Sequence, residues 1–111
     1  MARRKLIAGN WKMNGSVASN AALLEALKAR VGEGLRSELL VFPPFPYIGQ
    51  ASAYCDRSGL QLGAQNLSQF QSGAYTGEVS ARMLQELGCR YVLVGHSSSR
   101  TVSYQFTSLN Y

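Results

Sequence analysis

Acidic residues are scarce in this chain, and long hydrophobic stretches are missing. Of its 111 residues, six are Asp or Glu and eleven are Lys or Arg, which gives a net charge of +5. No apolar run approaches the ~20 residues that a membrane-spanning helix needs. With 46% hydrophobic residues, the chain can bury a core. These features exclude a membrane span and a disordered chain, and they predict one compact domain.

Cysteine is rare as well. Cys55 and Cys89 lack the spacing of metal ligands, so we expect two reduced structural thiols and no metal site.

No signal-peptide stretch follows the basic residues 1–5, so a cytoplasmic location is expected. The cations are scattered without interleaved aromatic residues, which argues against nucleic-acid binding. They suit an anionic small-molecule substrate, or they form an ordinary solvated surface.

Four short apolar runs predict strands that are covered on both faces, because apolar residues follow one another instead of alternating. These runs are residues 5–10, 39–42, 60–65 and 91–95. Helical patterns fill the intervals between them. Their apolar faces are Leu23, Leu24, Leu27 and Val31, then Tyr47, Ile48, Ala51 and Cys55, then Met83, Leu84 and Leu87.

The third helix carries signals at both ends. Ser80 is a capping residue at its start, and Gly88 is a stop signal at its end. The resulting β-α-β-α-β-α-β order predicts an α/β protein with a parallel sheet. Residues 98–111 are serine-rich and show no helical period. We therefore expect a domain over residues 1–97 and a divergent, disordered tail over residues 98–111.

Polar side chains follow two of the predicted strands. Residues 9–15, Gly-Asn-Trp-Lys-Met-Asn-Gly, come after the first apolar run, and residues 94–97, Val-Gly-His-Ser, close the fourth. Active sites of parallel α/β proteins lie at the carboxyl ends of strands. Asn10, Lys12 and His96 are therefore candidate site residues. Taken singly, a lysine such as Lys12 is usually a solvated surface group, and a lone histidine such as His96 is more often a hydrogen-bonded structural residue.

Four segments in this order and spacing resemble the N-terminal part of the triosephosphate isomerase family. They are residues 9–15, 63–66, 73–80 and 88–97, within a match that covers about residues 4–97. The resemblance implies a partial (β/α)₈ barrel of about four strands and three helices. It also implies interconversion of dihydroxyacetone phosphate and glyceraldehyde 3-phosphate in glycolysis and gluconeogenesis. The resemblance implies a homodimer, and it implies that no cofactor is needed.

The resemblance also assigns roles to particular residues. Asn10 and Lys12 would hold the phosphorylated sugar, with Lys12 supplying positive charge, and His96 would polarise the carbonyl. Thr76 and Glu78 would lie on a projecting loop that enters the site of a partner subunit. Gln65 either steadies Asn10 or Lys12 or is an ordinary polar strand end. This family is itself a well-known example of a glutamate base paired with a neutral histidine under a closing loop.

The sequence departs from the family after Ser97. The family continues with Glu-Arg-Arg, where this chain has Ser98, Ser99 and Arg100. No acidic residue is a convincing base, so we expect a truncated family member with little activity alone. A non-catalytic assembly module that pairs with a full-length subunit, and a basic nucleic-acid binder, stay open as alternatives. An incomplete barrel should also expose inner-face residues such as Ile7, Val41, Leu62 or their neighbours.

Overall fold

Four parallel strands with helices between them form the body of the protein. The computed structural model describes residues 5–34, 36–55, 58–97 and 100–105, with side chains as far as Leu93. The strands are adjacent in sequence order, β1 to β4, and all three pairings are parallel. They are β1 (Leu6–Asn10), β2 (Glu38–Phe42), β3 (Leu60–Ala64) and β4 (Tyr91–Ser97). The four predicted strands are confirmed.

A helix connects each strand to the next, as a parallel crossover requires. The helices are α1 (Val17–Gly32), α2 (Ile48–Cys55), which follows a short 3₁₀ turn at Phe45–Tyr47, and α3 (Ala81–Glu86). Sequential parallel strands with intervening helices are the architecture of a partial (β/α)₈ barrel, so the predicted fold class is confirmed.

Helix ends are fixed by local sequence. At the start of α1, the Ser16 hydroxyl accepts the Ser19 N–H at 3.1 Å, and the Ser19 hydroxyl accepts the Ser16 N–H at 3.1 Å. The predicted cap of α3 is confirmed, since the Ser80 hydroxyl accepts the Met83 N–H at 3.2 Å. Gly88 follows α3 with φ +93°, a left-handed conformation that ends a helix.

The two faces of the sheet bury different residues. Register places Leu39 beside Leu60 and Val41 beside Leu62, and these four pack with the helices in the main core. The opposite face holds a smaller cluster of buried residues, made up of Leu40, Phe42 and Leu93. The expectation that Val41 and Leu62 are exposed was therefore wrong. Strands that are apolar on both faces do not reveal which residues face the helices.

Ile7 matches the expected exposure for a different reason. It pairs with Leu39 and so belongs to the helix side of the sheet, and it is 53% exposed. β1 pairs only with β2 among the described strands, so one of its edges is uncovered.

The helix-face predictions hold for Leu24, Leu27 and Val31, which contact the core. They were wrong for three residues that are 43–51% exposed: Leu23, Met83 and Leu87.

Part of the tail has regular structure. Residues Arg100–Gln105 form strand β5, which pairs antiparallel with β4. This differs from the disorder expected there, because Thr-Val-Ser-Tyr-Gln alternates polar with β-branched or aromatic residues at the period of a strand. Residues 98–99 and 106–111, also part of the predicted tail, lie outside the described residues. Within the part of the chain that is described, no helix is long and apolar enough to cross a membrane.

Candidate functional site at the carboxyl ends of β1, β2 and β3

The carboxyl ends of β1, β2 and β3 are tied together at one backbone carbonyl. The Phe42 carbonyl, at the end of β2, accepts the Trp11 N–H at 3.1 Å and the Gln65 Nε2–H at 2.9 Å. Trp11 directly follows β1 and Gln65 directly follows β3. We call these hydrogen bonds, together with the one from Gln65 to Lys12 described next, the strand-end clamp. It fixes the start of the loop that carries Lys12.

Lys12 has a left-handed backbone, with φ +56°. Among the described residues it is the one non-glycine residue with positive φ. Such a conformation costs about 1–2 kcal/mol in a residue with a Cβ. Both backbone groups of Lys12 are satisfied by side chains: its N–H donates to Asn10 Oδ1 at 2.9 Å, and its carbonyl accepts Gln65 Nε2–H at 2.7 Å. The side chain of Lys12 is exposed.

The far end of the same loop is held from α2 and the turn before it. The Tyr47 hydroxyl donates to the Gly15 carbonyl at 3.2 Å. Gln50 Nε2 donates to the Val17 carbonyl at 2.8 Å, and Gln50 Oε1 accepts Asn20 Nδ2–H at 3.1 Å. Asn20 is a buried polar side chain, 2% exposed. None of these contacts could be predicted from the sequence, since a buried amide inside a helix gives no distinctive pattern.

The predicted loop segment, residues 73–80, belongs to a longer loop that runs from Ser68 to Ser80. Its base is closed by a hydrogen bond from the Ser68 N–H to the Val79 carbonyl at 2.7 Å. Within it the rings of Phe70 and Tyr75 stack in parallel, with centroids 4.2 Å apart. Thr76 and Glu78 are exposed on this loop. No hydrogen bond within the described chain joins either residue to Asn10 or Lys12, so their predicted role in a partner's site stays a prediction.

His96 lies within β4 and not just beyond it. β4 extends to Ser97 because its last residues pair with β5 across an irregularity between Val94 and Ser97. The side chain of His96 lies outside the described residues, as does that of Arg100. Ser98 and Ser99 are also outside them. The predicted catalytic role of His96 therefore stays a prediction.

Both cysteines are free thiols with little chemical reactivity at neutral pH. Cys89 is buried and Cys55 is half-buried, and both contact the main core. Burial raises the pKa of Cys55 to about 12, and burial together with the nearby Cys55 raises the pKa of Cys89 to about 12. Among the described residues, no group of His, Cys, Asp or Glu could hold a metal ion.

A cavity lies at the other end of the sheet. It has a volume of about 580 Å³ and is bordered by the start of β3 and the residues just before β4, including Gln61 and Arg90. The carboxyl end offers a different arrangement, in which a strained lysine and an asparagine amide project from a fixed loop. A lysine whose backbone is held beside amide donors can supply a cation that binds an anionic, oxygen-rich ligand. The fold and this candidate site together indicate a β/α protein that binds an anionic, oxygen-rich ligand at the carboxyl ends of its strands.

Comparison with known proteins identifies the family. The family model described as Triosephosphate isomerase matches residues 5–107, ten residues beyond the predicted end of the resemblance. The Triosephosphate isomerase of Dechloromonas aromatica is 58% identical over 100 residues, which is 90% of this chain and 40% of that protein. The Triosephosphate isomerase of Nitrosococcus oceani is 48% identical over 107 residues, 96% of this chain and 43% of that protein. This chain belongs to the triosephosphate isomerase family.

The chain spans about two fifths of the length of the curated relatives that it matches. The relative in Azoarcus gives the same result, with 54% identity over 100 residues and 38% of that protein covered. The matched region contains the entire strand-end clamp, the Ser68–Ser80 loop and β4.

Proposed function

We propose that this chain provides the lysine, asparagine and histidine of an enzyme that interconverts dihydroxyacetone phosphate and glyceraldehyde 3-phosphate. The observation that carries the proposal is the strained Lys12, held at the carboxyl end of the sheet in a member of this family. Strained residues that persist in a fold are concentrated at functional sites. The proposal places the chain in glycolysis and gluconeogenesis, in the cytoplasm.

The proposed roles follow from charge and position. The Lys12 ammonium attracts the substrate's anionic groups, and Asn10 binds its oxygens with the Nδ2 donor, since Asn10 Oδ1 is engaged by Lys12 N–H. His96 donates to the carbonyl oxygen as an enediolate develops. Donors preorganised toward developing charge are worth about 10²–10³-fold each in rate.

We also propose that these 111 residues alone turn over little substrate. The reaction needs a base that removes a carbon-bound proton, which typically contributes about 10²–10⁴-fold. None of the carboxylates in the described residues forms a hydrogen bond to the strand-end clamp or to Asn10. By the resemblance, Glu78 is the one acidic residue near the catalytic face, and it lies on the exposed Ser68–Ser80 loop.

The test is a chimera in which residues 5–97 replace the matching segment of the Dechloromonas aromatica relative. We expect turnover of triose phosphates by the chimera and a loss of at least ~10²-fold in kcat/KM with Lys12→Ala or His96→Gln. Lys28→Ala is the matched control, because Lys28 is an exposed lysine on α1. Lys12→Ala should also leave the melting temperature nearly unchanged. An active chimera that tolerates Lys12→Ala would contradict the proposed role.

A second proposal concerns assembly, and the preformed Ser68–Ser80 loop supports it. We propose that this loop, which carries Thr76 and Glu78, enters the site of a partner subunit in a homodimer, where Thr76 reaches Asn10 and Lys12. The closed base and the Phe70–Tyr75 stack present this loop to a partner at low entropic cost. The same loop serves the alternative of a non-catalytic module that pairs with a full-length subunit. Co-purification of the tagged chain with the complete Dechloromonas aromatica relative, lost on Tyr75→Ala, tests the alternative.

A further inference from the structure

Gly63 lies buried in the middle of the sheet, on β3, without the backbone conformation that usually calls for glycine. It is not among the glycines of the described residues that have positive φ. A glycine inside a strand is destabilising, and it often marks a place where another group approaches the backbone closely. What distinguishes Gly63 is therefore the space that a side chain would occupy.

The ring of Phe42 fills that space. A Cβ on Gly63 would lie 2.6 Å from Cδ1 and 3.1 Å from Cζ of Phe42, and closer still to Cε1. Phe42 is 1% exposed, so its ring is packed on its other sides as well. A ring in a close-packed interior cannot give way as the end of a flexible exposed side chain can. Even the methyl group of an alanine at position 63 would displace it.

Phe42 stands between Asn10 and Gly63 on one face of the sheet. The register pairs Asn10 with Phe42, and it pairs Gly63 with Tyr91 on β4. Residues that are paired across adjacent strands present their side chains on the same face. Phe42 forms one buried cluster with Leu93, also on β4, and Tyr91 packs against that cluster. The ring thus lies across β3 toward β4, and Asn10 on its other side is exposed.

We propose that Gly63 is a positioning residue: it gives the Phe42 ring a place over β3, and so it keeps the space beside Asn10 open to a ligand. That this ligand is anionic rests on the proposed function, whereas the position of the ring does not. Gly63 acts through Phe42 and does not touch the ligand, because the ring covers it. A side chain at position 63 pushes the ring toward Asn10, since the β4 side is occupied by the packed cluster.

The decisive variant is Gly63→Ala, and Gly9→Ala is the matched control. Gly9 is also a strand glycine without positive φ, and the nearest atom to a Cβ there outside its chain neighbours lies at 4.0 Å. NMR of the 111-residue chain measures nuclear Overhauser effects (NOEs) from the Phe42 ring protons to Gly63 and to the Asn10 side-chain amide. A titration with inorganic phosphate, followed at the same amide, measures anion binding.

In the unmodified chain, the ring NOEs to the Gly63 Hα protons should be stronger than those to the Asn10 amide. In Gly63→Ala the NOEs to Asn10 should strengthen, and phosphate should bind about tenfold more weakly, because a ring in the space of the ligand opposes binding. Gly9→Ala should change neither. Phe42→Leu leaves room for a methyl group on β3. Adding Gly63→Ala to Phe42→Leu should therefore change phosphate binding by less than about twofold, which is the coupling expected of residues in contact.

Three outcomes would overturn the proposal: ring NOEs in Gly63→Ala that match those of Gly9→Ala, phosphate binding that is equal in these two variants, or a double variant that binds phosphate no better than Gly63→Ala. If Gly63→Ala alone does not fold, the double variant carries the test. Recovery of folding and of phosphate binding by Phe42→Leu then supports the proposal, and failure to recover them overturns it. An absence of phosphate binding in the unmodified chain would overturn the proposed function and, with it, the role of the ring toward an anionic ligand. The NOEs would still decide whether Gly63 places the ring.

Discussion

The two ends of the parallel sheet differ in what holds them together. At the carboxyl end, side-chain amides from Asn10, Gln50 and Gln65 hydrogen-bond to backbone groups of the β1–α1 connection. At the amino end, a cavity of about 580 Å³ opens between α2, α3 and the start of β3. The carboxyl end therefore combines several side-chain-to-backbone hydrogen bonds with a left-handed lysine, and the amino end borders a cavity.

The site proposed here does not coincide with the amino-end cavity. The largest well-formed pocket is the usual first hypothesis for a binding site. Here the amino-end cavity is bordered by the half-buried thiol of Cys55, whose pKa burial raises to about 12, so this group is a poor nucleophile at neutral pH. The smaller features at the carboxyl end, a strained lysine and converging amides, give the stronger indication of function.

The largest effect is expected from glycine substitutions at the two ends. Gly15, at the carboxyl end, has φ +131°, and a Cβ there would lie 2.6 Å from the Oδ1 of buried Asn20. Gly88, at the amino end, has φ +93° with ordinary space around it. Gly15→Ala should lower the free energy of unfolding by ~2–4 kcal/mol, since strain and overpacking add. Gly88→Ala should lower it by ~1–2 kcal/mol. Urea denaturation measures both, and equal losses would remove the difference between the ends.

A smaller effect is expected for tyrosine hydroxyls. Tyr47→Phe removes the donor to the Gly15 carbonyl and should lower the free energy of unfolding by about 0.5–1 kcal/mol. Tyr54→Phe is the matched control, because Tyr54 lies on α2 and its hydroxyl makes no hydrogen bond among the described residues. Thermal melts of the two variants give the comparison. Identical melting temperatures would mean that the Tyr47 hydroxyl does not stabilise the loop.

The smallest effect at neutral pH, one that appears only above about pH 9, concerns the thiols near the amino end. Cys55 and Cys89 have pKa values raised to about 12 in the folded chain, whereas an unfolded cysteine has a value near 9.0. Above pH 9 the unfolded chain loses thiol protons that the folded chain keeps, so these groups make stability fall as pH rises from about 9 toward 12. Below about pH 9 these thiols do not make stability depend on pH. Stability measured between pH 8 and 10 should decline less in a Cys55→Ala, Cys89→Ala chain, and parallel curves for the two chains would refute the assignment.

Much of the fold could be predicted from the sequence, because its signals are local. The apolar runs gave the four strands, Ser80 gave the cap of α3, and Gly88 gave its end. The facing of the strands could not be predicted, because β2 and β3 are apolar on both sides. As a result Val41 and Leu62 were assigned to the wrong face. β5 was not predicted, because the serine-rich tail has no helical period and only a short alternating segment.

The candidate site was only partly predictable for a related reason. Asn10, Lys12 and Gln65 stand out as polar residues at strand ends. The left-handed backbone of Lys12 has no sequence signal, because no glycine stands at that position. The Phe42 carbonyl on which the strand-end clamp centres has no sequence signal at all, since every residue has a carbonyl. Only the parallel register brings Trp11, Phe42 and Gln65 together.

The central claim is that the fold holds Lys12 in a costly conformation for a purpose other than stability. The free energy of unfolding of Lys12→Gly, compared with that of Lys28→Gly, tests it most directly. Glycine relieves the strain at a left-handed residue, whereas inside an exposed helix it costs about 1 kcal/mol. The account predicts that Lys12→Gly leaves the chain as stable as before or more stable by up to ~1 kcal/mol, while Lys28→Gly destabilises it. A loss of stability in Lys12→Gly equal to or larger than that in Lys28→Gly would contradict the account.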